Sequence, residues 1–323
     1  MYREALRESK PSIQLIFAAL IILICGIAVM VLGILFGWLI YGLNIADIEN
    51  MMEDITNPAS ISVLKFFQTI QSVGMFIIPP FIIAWFLDGN LPLYLKFRKV
   101  PDFKSVVLVI AIIFFSNPLI NWLNEVNSKL NLPEWMNTVE TWMQNSESQA
   151  GKITDAFLSA TSLTTVLGNI VMIGILPALG EELLFRGIVQ KLFKSMYGNA
   201  HAAIWISAAI FSALHLQFFG FLPRLVLGAM FGYMLEWSGT IWLPVLAHFV
   251  NNTAAIIAYY LLHKGLINSD IDKPGTSSDG SFYLVLVSIV FLYIFFRSLY
   301  LRSRVYFSID VHTSHGPYPL KDE

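Results

Sequence analysis

Residues 11–46 read PSIQLIFAALIILICGIAVMVLGILFGWLIYGLNIA, without one Asp, Glu, Lys or Arg. A transmembrane helix needs about 20 apolar residues to cross a hydrocarbon core about 30 Å thick, so this stretch is long enough to span. It also exceeds the roughly 7–15 apolar residues of a cleavable secretory signal, which predicts a retained anchor helix. The remainder of the 323 residues asks for the same solvent. Hydrophobic residues make up 56% of the chain and charged residues 13%, with a mean hydropathy of +0.66. That is too little polar side chain to cover a water-soluble globule of this size, and the bilayer is the surrounding it fits. A net charge of -2 with no basic run longer than a few residues argues against nucleic acid as a partner. The lone cysteine, Cys25, lies within the first apolar stretch and can close no internal disulfide.

Working outward, further spans are expected at 66–87, 105–123, 156–184, 202–216, 221–235, 241–262 and 281–296. The fold class is therefore all-α: a polytopic membrane bundle of about eight helices, taken as one domain over 1–323. Cytoplasmic flanks carry the excess of Lys and Arg. Arg3, Arg7 and Lys10 precede the first span, Asp47, Glu49, Glu53 and Asp54 follow it, and Lys96, Arg98, Lys99 and Lys104 make the next loop basic. Arg297, Arg302 and Arg304 follow the last span. Both termini are thus expected in the cytoplasm, with a flexible tail over 301–323. Segment 121–149 interleaves Trp122, Leu123, Val126, Leu130, Trp135 and Met136 with polar groups, as an amphipathic helix at the outer interface would. Loop 264–280, rich in Gly, Ser and Asp, reads as flexible chain.

Ionisable side chains inside a span cost about 2.5–3.5 kcal/mol each on insertion scales and mark function by default. Glu181 and Glu182 are adjacent, and a helix turns about 100° per residue, so the two carboxylates point in different directions. Glu182 and Arg186 are four apart with the acid first, the favoured order for a helical ion pair. That leaves Glu181 free to face a cavity as a general base. His215 lies deep in an apolar stretch. His248 and Asn252, also four apart, put an imidazole and a carboxamide on one helix face, where both can donate to a developing oxyanion. Gly228 and Gly232 permit close helix packing, and Pro79-Pro80 and Pro244 are expected to kink their helices.

Glu-Glu-x-x-x-Arg (Glu181 to Arg186), Phe-x-x-x-His (Phe211 to His215) and His-x-x-x-Asn (His248 to Asn252), in this order and each on a membrane helix, resemble the signature of the CPBP intramembrane proteases. That family includes the type II CAAX prenyl endopeptidases and the bacterial Abi proteins. The resemblance covers a catalytic core at 156–262. It implies an endopeptidase in which Glu181, helped by His215, activates water, while His248 and Asn252 stabilise the tetrahedral oxyanion and Glu182 with Arg186 supports the site. Zinc is a possible cofactor, held by Glu181, His215 and His248. The absence of His-Glu-x-x-His, and the presence of Asn252, favour water chemistry without a cofactor. The expected partners are the lipid bilayer and a membrane-associated protein or peptide substrate, cleaved near the cytoplasmic half of a bacterial inner membrane. A proton- or ion-coupled transporter using the same groups as a relay, and a non-catalytic immunity or scaffold protein, are the alternatives.

Overall fold

The computed structural model describes residues 2–313 apart from 43, 45–46, 48–56, 131, 160–161 and 269–272, with side chains as far as residue 303. The acidic residues Glu49, Glu53 and Asp54 fall outside the described residues, as does the end of the tail beyond 313.

The chain is all-helical. A short α1 (Tyr2–Arg7) leads into α2 (Pro11–Tyr41), α3 (Pro58–Leu87), α4 (Phe103–Ser128), α5 (Asn137–Leu158), α6 (Leu163–Tyr197), α7 (Ala200–Ala213), α8 (Phe221–Ser238), α9 (Trp242–His263) and α10 (Tyr283–Thr313). Among the described residues seven of these, α2, α3, α4, α6, α8, α9 and α10, are long and apolar enough to cross a bilayer. The chain is an integral membrane protein. Helix starts carry their own stops and caps: Asn57 accepts from the Ala59 amide ahead of Pro58, and Asn199 accepts from the amides of His201 and Ala202.

Two ends of the bundle are distinguished by what ties them. At one end the basic loop 88–102 meets the α8–α9 turn: Lys99 donates to the Ser238 carbonyl, Ile241 N–H to the Lys96 carbonyl, and Arg302 pairs with Asp102. At the other end α5 lies across the helix ends. Its last turn is held by Lys65, which donates to the Phe157 carbonyl and to Asn169, and its middle by Glu147, which accepts from the Phe219 amide. Cores of Ile83, Leu95, Leu183 and Ile188 near the first end, and of Ile112, Phe231, Met234 and Leu243 between α4, α8 and α9, fill the space between.

Several sequence-based boundaries shift. The span expected at 202–216 is the 14-residue α7, about 21 Å long and shorter than a hydrocarbon core, which packs on α8 as a hairpin. The span expected at 156–184 begins instead at Leu163 and runs to Tyr197. Segment 121–149 divides, its first part completing α4 and its later part opening α5, because Pro133 interrupts it. Loop 264–280 is anchored where it is described: Asn121 donates to the Pro274 carbonyl, and Ser277 bonds Glu125. Gly275 takes φ +92 against the Pro118 backbone, a position only glycine fits. Pro244 sits in the first turn of α9, where its missing N–H costs nothing, and causes no break. The helix expected to end before the tail continues to Thr313.

Candidate active site

Helix α6 carries the acidic pair, and its backbone is irregular on both sides of it. π-helical turns occupy Ile170–Ile175 and Leu183–Val189, leaving Leu176–Glu182 as one short α-helical stretch between them. Such turns concentrate at functional sites because they re-aim side chains by one residue. Gly180 lets this stretch approach α3: a Cβ there would lie 2.8 Å from the Cβ of Phe76. Counted from the helix ends, Glu181 is 18 residues past Leu163 and 16 before Tyr197 (181 − 163 and 197 − 181), so it lies midway.

The two carboxylates do have different surroundings. Glu182 is fully buried, and its Oε1 accepts both from Arg186 Nη1 (3.0 Å) and from His248 Nδ1 (2.9 Å). Its Oε2 is buried without a hydrogen-bond partner among the described residues. Glu181 keeps 14% of its side chain exposed, and its Oε2 lies 3.9 Å from His248 Nε2. His248 therefore bridges the pair. A carboxylate can only accept, so Nδ1 carries the proton bonded to Glu182, and Nε2 is the atom presented to Glu181.

Arg186 is held in place by more than Glu182. Its Nη2 donates to the Gly228 carbonyl at 2.9 Å, and its guanidinium lies over the rings of Phe211 (4.7 Å) and Phe231 (5.5 Å). One turn on, Gln190 donates to the Gly232 carbonyl. The two glycines thus do specific work: Arg186 and Gln190 repeat at the same i,i+4 spacing and cross to α8 where no Cβ stands in the way. Phe231 also stacks on His248, with centroids 5.4 Å apart and planes at 25°.

Glu181, His215, His248 and Asn252 all line one cavity of about 460 Å3, together with Phe211, Arg224 and Phe231. His215 stands in the exposed turn after α7 ends at Ala213, not deep within a span as expected; its Nδ1 donates to the Phe211 carbonyl at 2.9 Å, which leaves Nε2 for the cavity. Residues Ala150, Ile153, Thr154 and Phe157 of α5 form the cover. Asn252 is partly engaged: its Nδ2 donates to the Ile173 carbonyl at 3.0 Å. Pro177, four residues after Ile173, has no N–H to give that carbonyl, so the carboxamide makes good the loss and keeps one N–H for the cavity.

Two participants escaped the sequence reading. Phe231 is one of 25 phenylalanines with nothing in its spacing to mark it. Arg224, a charge inside an apolar span, carried the signal that singled out the others and was passed over. It donates to the side chain and carbonyl of Gln217, its Nε is buried without a partner, and among the described residues it forms no ion pair. Among the described residues no three His, Cys, Asp or Glu side chains are gathered as a metal ion would require.

Fold and site together define an integral membrane protein with an acid–base chamber between its helices. Comparison gives a likeness: residues 163–254 match the family model described as type II CAAX prenyl endopeptidase Rce1-like, and all three motifs read from the sequence fall inside that segment. The chain is also 28% identical over 116 residues, or 35% of its length, to the uncharacterized protein YpbD of Bacillus subtilis (strain 168). The match spans about half of that relative, 54% of its length. No solved structure matches.

Proposed function

We propose that the chain is an intramembrane endopeptidase that hydrolyses a peptide bond with an activated water. The observation that carries the proposal is the meeting of Glu181, His215 and His248 in one chamber inside the bundle. Glu181 takes the proton of a water positioned with the free Nε2 of His215, and the hydroxide formed attacks the scissile carbonyl. The oxygen of the tetrahedral intermediate accepts from His248 Nε2, in its doubly protonated form, and from the remaining N–H of Asn252. Glu181 then returns the proton to the departing amine. Glu182 and Arg186 do no chemistry; they fix the ring of His248.

Arg224 lines the chamber with Glu147 near it but, among the described residues, in no ion pair, and it gives the substrate a feature to carry: a negative charge, such as a free C-terminal carboxylate, near the cover formed by α5. The relay alternative uses the same groups, but the chamber's width and its Arg224 favour a peptide over a lone ion.

Replacing Glu181 by Gln keeps size and removes the base. Cleavage of a fluorogenic membrane peptide by the purified chain is expected to fall on the order of 10²–10⁴-fold, with the helical circular dichroism and melting unchanged. Unchanged cleavage would take Glu181 out of the mechanism. Stoichiometric zinc in the purified protein, with activity lost on chelation and restored by zinc, would overturn the metal-free scheme.

A further inference from the structure

A second cavity, of about 410 Å3, lies at the basic end of the bundle, apart from the chamber that holds Glu181, His215 and His248. Its lining includes Tyr94, Lys96, Lys191, Lys194 and Glu236, with Arg186 at its inner limit. Arg186 is already neutralised by Glu182. Of the rest, Lys194 is paired with Glu236, and Lys191 is turned onto Tyr94, its Nζ 3.1 Å from the ring centroid and bonded to the Tyr94 carbonyl. Among the described residues Lys96 has no carboxylate within ion-pair distance. Three ammonium groups therefore line a partly enclosed space against a single carboxylate.

The backbone is bent to keep Lys96 there. It takes φ +58, a left-handed conformation unusual for a lysine, and its carbonyl accepts the Ile241 amide at the start of α9. Burial, opposed by Glu236 and reinforced by Lys194 and Lys99, holds its ammonium below the ordinary lysine range. Lys96 and Lys191 are part-buried, with Glu236 and Asp88 as the acidic groups acting on them, so the lining keeps an excess of positive charge that a bound anion would offset. Leu95 and Leu235 add apolar faces beside Gly187, Gln190 and Ser195, so the cavity matches a group with a charged end and an apolar flank.

We infer that this cavity binds a phosphate group, with Lys96 and Lys191 as its principal contacts. Two sources share that chemistry: the headgroup of an anionic phospholipid, suited to basic pockets at the positively charged side of a membrane protein, and free phosphate.

The test uses the full chain in detergent micelles and is independent of peptidase activity. Phosphatidylglycerol, phosphatidylcholine and inorganic phosphate are titrated separately, with retention followed by native mass spectrometry and by thermal shift. Selective retention of phosphatidylglycerol, weakened about tenfold or more by Lys96→Gln and by Lys191→Gln but not by Lys104→Gln on the same face, supports the lipid source. Stabilisation by inorganic phosphate with the same variant pattern supports the soluble one. Because a Gln variant can fail to fold, Lys96→Arg is included, which keeps the charge and should keep binding. Equal retention of phosphatidylcholine, or affinity for both anions untouched by the Lys96 and Lys191 variants, would overturn the inference.

Discussion

Glu182 shows how much one side chain is asked to do. Spacing alone foretold its pairing with Arg186, four residues on, because both ends of that contact lie on one helix. Its bond to His248 was not legible, because it joins positions 66 residues apart through a fold that spacing cannot report. The same holds for Arg186, whose contacts with Gly228, Phe211 and Phe231 all come from other helices. Glu181, His215 and His248 could be picked out because each is a costly group in an apolar run. Arg224 satisfied that criterion too, and its place in the chamber yields a prediction at this scale. Arg224→Gln should raise KM about tenfold or more for a peptide ending in a free carboxylate while leaving kcat close to its original value. The amidated form of the same peptide should show little change. Equal effects on the two peptides would remove Arg224 from substrate recognition.

At the scale of elements, α6 departs most from what periodicity predicts. An apolar run shows that a helix is present, but not that π turns flank its acidic pair. Pro177 was the visible cause of part of this, and its consequence lies on another helix, at Asn252. The pairing predicts a specific non-additivity. Asn252→Leu leaves the Ile173 carbonyl without its donor and should cost about 1–3 kcal/mol of stability. Pro177→Ala restores a backbone N–H four residues after Ile173, so in that background the same substitution should cost measurably less. Thermal or denaturant melts of the four proteins check this, and equal costs in both backgrounds would show that Asn252 does not substitute for the missing amide. Any loss of cleavage that persists in the Pro177→Ala background would belong to the chemical role of Asn252.

For the whole molecule, composition and the spacing of apolar runs were enough to predict a polytopic helical bundle, because bilayer thickness sets a length that a sequence must meet. What they did not show is which way the chamber faces. The chamber is covered by α5, while the basic loops gather at the opposite end. If positive charge marks the cytoplasmic side, substrate reaches the chamber from the other side. In a Cys25→Ala background, Thr154→Cys on the cover should react with a membrane-impermeant maleimide added outside intact cells. Labelling only after the cells are opened would reverse the orientation.

The two cavities have a joint consequence. Arg186 lines one and Glu181 and His248 line the other, so the Glu182–Arg186 pair lies between the two. If water fills both cavities, the seal across this protein is one ion pair rather than the thickness of a bilayer. Removing both charges at once, with Glu182→Ala and Arg186→Ala, avoids stranding either ion and should leave a folded protein that leaks. Proteoliposomes carrying it would dissipate an imposed proton gradient faster than those carrying the unaltered chain, and equal rates would mean that the seal lies elsewhere.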